Sequence, residues 1–361
     1  MTSLEIANQR LRNQHLSGTS FEQPEAVVQW QGAVQAQDYA SAKWALGLRL
    51  PRCTDDEVER AFTNGSFLRT HLLRPTWHFV LPADIRWMLA LTAPRVHALN
   101  ASHYRKCELD AATFTRSHKA LEKALQGGKQ LTREELRGEL RQAGIVTEGE
   151  FRMAYLMMRA ELDGIVCSGA RRGKQFTYAL LEERVPPAKP FARDEALSEL
   201  VLRYFSSRGP ATLQDCVWWS GLTMADAKCG VEQAKPKLAF EVIDGKTYWF
   251  AASVSPARDV SLTAHLLPNY DEYFIGFKDR SAIGEALKTY QKEQLITGLS
   301  AHVILVNGQV VGGWKRTLTK NGVEVELNPI KRLTKAEKRA VALAAEQYGA
   351  FLELPVVVNW H

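Results

Sequence analysis

Few of the residue patterns that announce a common enzyme are present in this sequence. Five of its 361 residues are cysteine (Cys53, Cys107, Cys167, Cys216 and Cys229), and none forms a Cys-x-x-Cys pair. Spacing that wide argues against a zinc or disulfide framework and leads us to expect reduced, buried thiols. No apolar run approaches the roughly 18 residues of a membrane span, and the opening MTSLEIANQR lacks the charged-then-apolar order of a signal peptide. The expected location is therefore the cytoplasm, with no membrane partner. The sequence has no nucleophile elbow, phosphate-binding loop, dinucleotide fingerprint or HExxH, which removes most common enzyme classes. No cofactor and no metal are expected. Charge is nearly balanced, 46 Lys and Arg against 40 Asp and Glu, a net +6. That excess permits a polyanionic partner without requiring one.

What the sequence does contain is a loose pattern repeated three times, short helices followed by a β-hairpin. In the first copy the periodicity predicts helices over Leu4–Leu16, Pro24–Gln35 and Ser41–Leu50. A fourth should start after Thr54, where Glu57 completes a capping box. Extended runs at Phe67–Leu72 and Thr76–Leu81 follow. The second copy has helices near Phe114–Leu125, Thr132–Ala143 and Phe151–Leu162, then strands Ile165–Ser168 and Gln175–Leu180. After a linker containing Pro186, Pro187 and Pro190, the third has helices over Asp194–Ser207, Thr212–Trp219 and Thr223–Ala234. Its strands Leu238–Ile243 and Lys246–Ala251 flank Asp244-Gly245, a strong hairpin turn. From about Ser255 the pattern changes to strands near Leu262–Leu267, His302–Val306, Gln309–Trp314, Val323–Leu327 and Leu354–Val358, with a helix over Thr334–Tyr348.

Helices followed by a β-ribbon match the winged-helix plan, in which the last helix commonly enters the major groove and the hairpin touches backbone or minor groove. The expected fold class is therefore α+β: about three tandem winged helix-turn-helix modules (1–95, 96–187 and 188–254) and a β-rich, barrel-like C-terminal domain (255–361). Three such units in series suit an extended nucleic-acid surface, and with no dimerisation heptad in view a monomer is expected.

The polar run Gln35-Ala36-Gln37-Asp38-Tyr39 stands out as candidate chemistry. On a continuous helix two residues turn through about 200°, so Gln35 and Gln37 could share a target only if the helix ended between or just after them. The alternative is an ordinary polar helix end. This run, with Ala42, Trp44, Ala45, Gly47 and Arg49 behind it, resembles the signature of the AlkZ-like DNA glycosylases. The stretches Arg69-Thr-His71-Leu-Leu-Arg74-Pro-Thr76-Trp-His78 and His265-Leu-Leu-Pro268-Asn-Tyr270-Asp271-Glu272, with Gly276-Phe-Lys-Asp279-Arg280 beyond, extend the likeness in register over most of the chain.

The resemblance implies tandem winged helices set as a C around duplex DNA, and hydrolysis of the N-glycosidic bond of N7-alkylated purines, sometimes crosslinked ones. It makes Gln35 and Gln37 the candidate catalytic pair, a Gln-apolar-Gln motif; Asp38 follows that motif and is not its last position. Glycosidases usually need an acid for the leaving group and a carboxylate for water. Glutamine supplies neither, but a 7-alkylpurine is already cationic and departs neutral without protonation. What remains is to hold water and stabilise an oxocarbenium-like sugar, which two amide oxygens can do. Asp38 and Tyr39 are candidate supporting groups, with an N-cap or ion-pair role open for Asp38. Tyr270, Asp271 and Glu272 would reach the lesion pocket or brace domain contacts.

Candidate DNA contacts are Arg69, His71, Arg74 and His78, which strand alternation would put largely on one face for phosphates, or else leave on a solvated wing. Others are Arg171, Arg172 and Lys174 on a hairpin turn, and Asn307 and Gln309 at a tip that could probe the minor groove. No lysine stands out as a Schiff-base nucleophile, so an abasic site without lyase cleavage is expected. The rival classes are a winged-helix transcription regulator and a non-catalytic drug-sequestering or scaffold relative.

Overall fold

Threonine capping boxes set many of the helix starts. Thr2 with Glu5, Thr54 with Glu57, Thr132 with Glu135, Thr212 with Asp215 and Thr334 with Glu337 each exchange side-chain and backbone hydrogen bonds. Each box satisfies two backbone donors that a helix N-terminus would otherwise leave open. A computed structural model describes residues 1–188, 190–252, 262–284 and 302–361.

Helix α1 (Ser3–Asn13) comes first. The first repeat then runs α2 (Pro24–Gln31), β1 (Val34–Gln35), α3 (Tyr39–Gly47), α4 (Asp55–Asn64), β2 (Leu68–Leu72) and β3 (Thr76–Val80). A long helix α5 (Pro82–Lys106) leads to the second: α6 (Ala111–Leu125), β4 (Leu131–Thr132), α7 (Arg133–Gln142), α8 (Arg152–Leu162), β5 (Val166–Ser168) and β6 (Thr177–Leu180). Past the short α9 (Leu181–Arg184), the third has α10 (Arg193–Arg208), β7 (Ala211–Thr212), α11 (Leu213–Ser220), α12 (Met224–Ala234), β8 (Leu238–Ile243) and β9 (Lys246–Ala251). All three share one order: helix, two-residue strand, two helices, hairpin. In each, the two-residue strand joins the hairpin to make a three-stranded sheet, ordered β1-β3-β2, β4-β6-β5 and β7-β9-β8.

The remaining elements are β10 (Ala264–Leu267), α13 (Glu272–Ile275), β11 (Val303–Val306), β12 (Gln309–Thr319), β13 (Gly322–Pro329), α14 (Lys335–Leu352) and β14 (Val356–Trp360). The strands make one open sheet in the order β10-β11-β12-β13-β14, antiparallel except for the last pair. The barrel-like expectation is thus replaced by an open sheet, because β10 and β14 end it on opposite edges and do not pair with each other. Its core is continuous with the first repeat's. Trp44 of α3 packs on Tyr348 and Phe351 of α14 and donates its indole N–H to Leu266 O at 2.8 Å.

Other expectations also shift. Helix α1 does not open the first repeat: Arg10 and Asn13 donate to Pro210 O and Gly209 O beside the third. The expected boundary between 95 and 96 lies inside α5. The boundary near Ser255 falls outside the described residues. Helix α2 stops at Gln31, because Gly32 takes φ 75°, and the chain is extended where helix was expected to reach Gln35.

The β2–β3 hairpin is covered on both faces. Leu68, Leu72 and Val80 enter the core shared with α5, α10 and α11, whereas Phe79 and Val34 enter the core shared with the C-terminal sheet. Phe79 is fully buried; removing such a ring from water contributes on the order of 2–3 kcal/mol.

Candidate active site

Gln35 pairs with His78 across β1 and β3, and Ala36 N–H continues the pairing by donating to Trp77 O at 2.7 Å. Strand β1 ends at Gln35 and Gln37 lies on the bend that follows, so the two glutamines leave a strand end beside β3 and do not sit on a continuous helix. Gln35 is buried and Gln37 exposed. Both amides have a fixed orientation, because their partners can only donate. Arg74 Nη2 donates to Gln35 Oε1 at 2.8 Å, and Trp77 N–H donates to Gln37 Oε1 at 3.3 Å. Each carbonyl oxygen retains a second lone pair, and each amide NH2 is turned the other way.

Behind Gln35 lies a buried ion pair. Glu272 Oε1 accepts from Gln35 N–H at 2.8 Å, and its Oε2 accepts from Arg208 Nη2 (2.7 Å), Arg208 Nε (3.1 Å) and Trp219 Nε1 (2.9 Å). Arg208 also donates to Gln31 O, Ala33 O and Ser207 Oγ, so one guanidinium ties the turn before β1 to the third repeat. Next along the chain, Asp271 takes Arg49 in a two-pronged pair at 2.9 and 3.0 Å and caps α13 through Tyr273 N–H. Both carboxylates are almost solvent-free. Asp271 and Glu272 thus brace contacts between distant parts of the chain, and Glu272 also touches the backbone of Gln35. Tyr270, half-buried at φ 64°, makes no side-chain hydrogen bond among the described residues.

On the Gln37 side, rings and guanidiniums alternate. Arg69 lies over Trp77 (4.3 Å) and Phe176 (4.6 Å), and Arg171 lies over Phe176 (4.1 Å) and Tyr39 (4.9 Å). Arg69 Nε donates to Ala36 O at 3.0 Å. Both backbone polar groups of Ala36, the residue between the two glutamines, are therefore held. Glu161, from α8 of the second repeat, accepts from His71 Nδ1, His71 N–H and Trp77 Nε1. Tyr39 donates to Glu59, and burial pushes its hydroxyl pKa up. Asp38 is the N-cap of α3; its Oδ1 accepts from Ser41 N–H and its Oδ2 from Ser41 Oγ.

The predicted DNA contacts fare unevenly. Arg69, His71 and His78 are buried, not arrayed for phosphate, because neighbouring repeats and the C-terminal sheet cover the hairpin on both faces. His78 pairs with Thr70, on the face opposite Arg69 and His71. Burial, with the Arg74 charge beside it, holds the His78 pKa well below the usual histidine value. Arg74 is half-buried, and burial lowers its pKa despite Glu272 nearby. Arg172 pairs with Glu135 at 2.7 Å and Arg171 with Glu59 at 3.5 Å, whereas Lys174 is exposed and has no ion-pair partner among the described residues. The Asn307-Gly308 tip packs inward: Asn307 Oδ1 accepts from Thr263 N–H, Gln309 Nε2 donates to Ala282 O, and Gly308 sits against Tyr273, Leu11 and Ala7. A minor-groove role for Asn307 and Gln309 does not fit that packing.

Nor is the third helix of either of the first two repeats presented as a basic reader. Helix α4 opens with Asp55, Asp56 and Glu57, and α8 has no exposed residue. Sequence reasoning gave no site role to Arg208, Trp219 or Glu161; Arg208 and Trp219 meet Glu272 across 64 and 53 positions, and Glu161 meets His71 across 90. The only available signal was an arginine or glutamate inside an otherwise apolar helix face. Among the described residues no group of three His, Cys, Asp or Glu could hold a metal, and no helix is long and apolar enough to cross a membrane.

Comparison with known proteins identifies the family of the chain. The chain is 24% identical over 335 residues to a protein of Streptomyces sahachiroi named interstrand DNA cross-link repair glycosylase, covering 85% of each. The solved structure of the S. sahachiroi DNA glycosylase AlkZ superposes with a TM-score of 0.78 at 19% identity, covering 99% of both chains, and so shares the mixed α+β fold. The family model described as DNA glycosylase AlkZ-like matches residues 28–351, a span that holds the glutamine pair and all that braces it. The chain belongs to the AlkZ-like family of DNA glycosylases.

Proposed function

We propose that this protein hydrolyses the N-glycosidic bond of cationic N7-alkylpurines in double-stranded DNA and leaves an abasic site. Gln35 and Gln37 are the catalytic pair. The observation that carries the reading is the fixed orientation of the two amide oxygens, each held by a donor from the β2–β3 hairpin. Neither glutamine can protonate a leaving group, and the nearest acids are otherwise engaged: Glu272 and Asp271 by arginine, Asp38 as a helix cap. A site so built suits a base that already carries positive charge and departs neutral. When the C1′–N9 bond breaks, its electron pair neutralises the purine. The free lone pairs of the two amide oxygens then hold water and face the developing charge on the sugar. Donors from Arg74 and Trp77 fix both oxygens beforehand, so little reorganisation is needed.

The repeated helix–strand–helix–helix–hairpin order supports three winged-helix modules acting together on one duplex as a monomer. The acidic start of α4 and the covered α8 argue against a sequence-reading regulator. The name of the S. sahachiroi relative extends the substrate class to interstrand crosslinks.

The test is single-turnover release of 7-methylguanine from a methylated duplex, with a crosslinked duplex alongside. Wild type should release the base, and Gln35→Ala and Gln37→Ala should each lose at least about tenfold, or roughly 1.4 kcal/mol of barrier. Release unaffected by either substitution would show that the active site lies elsewhere. Tight binding of damaged DNA with no release of any lesion would refute the enzymatic reading.

A further inference from the structure

Two adjacent tryptophans on α11 have different surroundings. Trp219 is fully buried on Glu272, whereas Trp218 is 45% exposed, the largest exposed apolar side chain among the described residues. An exposed aromatic is ordinary in itself; the placement of this one is not. Its indole N–H donates to Ile275 O at 3.1 Å, which fixes the ring and satisfies its polar atom. Its carbonyl accepts from Arg74 Nη1 at 3.3 Å, and the same guanidinium donates through Nη2 to Gln35 Oε1. One planar group thus separates the residue bearing the exposed ring from the amide of Gln35.

The docking beneath it is tight. Gly221, the C-cap of α11 at φ 70°, abuts the carbonyl of Leu73 so closely that a Cβ there would overlap it. That contact sets α11 against the β2–β3 turn, where Leu73 itself has φ 61°. On the neighbouring segment Arg280 is anchored through Nε to Phe274 O and stacked on the Phe274 ring at 4.6 Å. Its terminal N–H groups have no hydrogen-bond partner among the described residues and remain free for phosphate.

We propose that Trp218 is the stacking platform for the damaged purine, a nucleobase-binding residue at the mouth of the site. This rests on the assignment of Gln35 above. An indole face suits such a ligand in two ways: bases stack on aromatics whatever their sequence, and the electron-rich face attracts a cationic ring more than a neutral one. Trp218 then selects the charged lesion before any bond breaks, and the glutamine pair acts on what is held there.

Binding separates this role from catalysis. The probe is a duplex carrying 7-methylguanine on a 2′-fluoro sugar, which resists hydrolysis, against the same duplex with guanine. Trp218→Ala should weaken lesion binding about 5- to 150-fold, the equivalent of about 1–3 kcal/mol per stacked base, and leave the guanine duplex within about twofold. Trp218→Phe loses the N–H bond to Ile275 but keeps a ring, and should recover most of the affinity. Equal weakening on both duplexes, an unchanged lesion affinity, or a Phe variant as weak as the Ala variant would overturn the proposal. Loss of function by Gln35→Ala is read separately, as release from an ordinary methylated duplex, so either assignment can fail without the other.

Discussion

Replacing Glu272 by glutamine removes one charge and reverses one dipole in a site where every partner is a donor. The wild-type carboxylate accepts from Gln35 N–H on one oxygen and from Arg208 and Trp219 on the other. Glutamine has a single acceptor, so its NH2 must face a donor on one side. Turning the NH2 toward Gln35 leaves one clash, whereas turning it toward Arg208 and Trp219 leaves three, so the Gln35 side gives way. Arg208, wholly buried, then keeps its charge with only neutral acceptors around it. Breaking a buried pair in this way costs about 3–5 kcal/mol. With a urea m-value of about 3 kcal/mol/M, the upper end for small proteins, the midpoint should fall by about 1–1.7 M. The exposed Arg86–Glu182 pair supplies the control, since Glu182→Gln should cost under about 1 kcal/mol. Urea unfolding followed by tryptophan fluorescence measures both. A Glu272→Gln midpoint no lower than that of Glu182→Gln would refute the claim that Arg208 depends on this carboxylate.

Three further outcomes are expected. Gly221→Ala forces a Cβ into the Leu73 carbonyl at a left-handed φ, so it should cost at least about 1–2 kcal/mol and slow base release by moving Arg74; normal stability with normal release would contradict the docking argument. Arg69→Lys keeps the charge but loses the planar stack on Trp77 and Phe176 and the Nε bond to Ala36 O. Its single-turnover rate should fall at least about tenfold while DNA affinity holds within about threefold; a loss of affinity alone would mean that Arg69 binds DNA directly. Finally, burial and neighbouring arginines depress His78 well below its usual pKa and bring His265 and His302 to about 4. The unfolded chain therefore binds more protons between about pH 4 and 6.5, and stability falls as pH drops through that window, by up to about 1.4 kcal/mol per pH unit for each group. Equal urea midpoints at pH 7 and pH 5 would sink this prediction.

Local chemistry was the legible part. Asp244-Gly245 and Asn307-Gly308 adopt the paired positive φ of tight hairpin turns, and Thr54, Thr132 and Thr334 are caps, as their neighbours imply. The long α5 was not read, although Pro82 opens it. The short strands were missed for a different reason. Val34-Gln35 is two residues long and has no periodicity of its own; it is extended because Gly32 ends α2 and β3 offers a free edge. Gly32 was the available stop signal. Gln35 and Gln37 were found through the family resemblance and not through geometry, since the helical reading put them on different faces. Arg208 and Glu272 were the least accessible, because a pair separated by 64 positions is created by the packing of the third repeat against the first.

The two-residue strand of each repeat also bears on how the site arose. In the second and third repeats its last residue, Thr132 or Thr212, is itself the cap of the following helix. In the first repeat the strand ends at Gln35 and the cap is Asp38, three positions later. Laid over one another, the repeats thus differ by three positions from strand end to cap, and the extra residues Ala36, Gln37 and Asp38 include the second glutamine. If the repeats descend from one duplicated ancestor, chemistry was acquired by lengthening a helix cap in a single copy, while the other two kept the shorter linkage and served as supports. Excising those three residues should return the first repeat to the shape of its siblings, folded but inert.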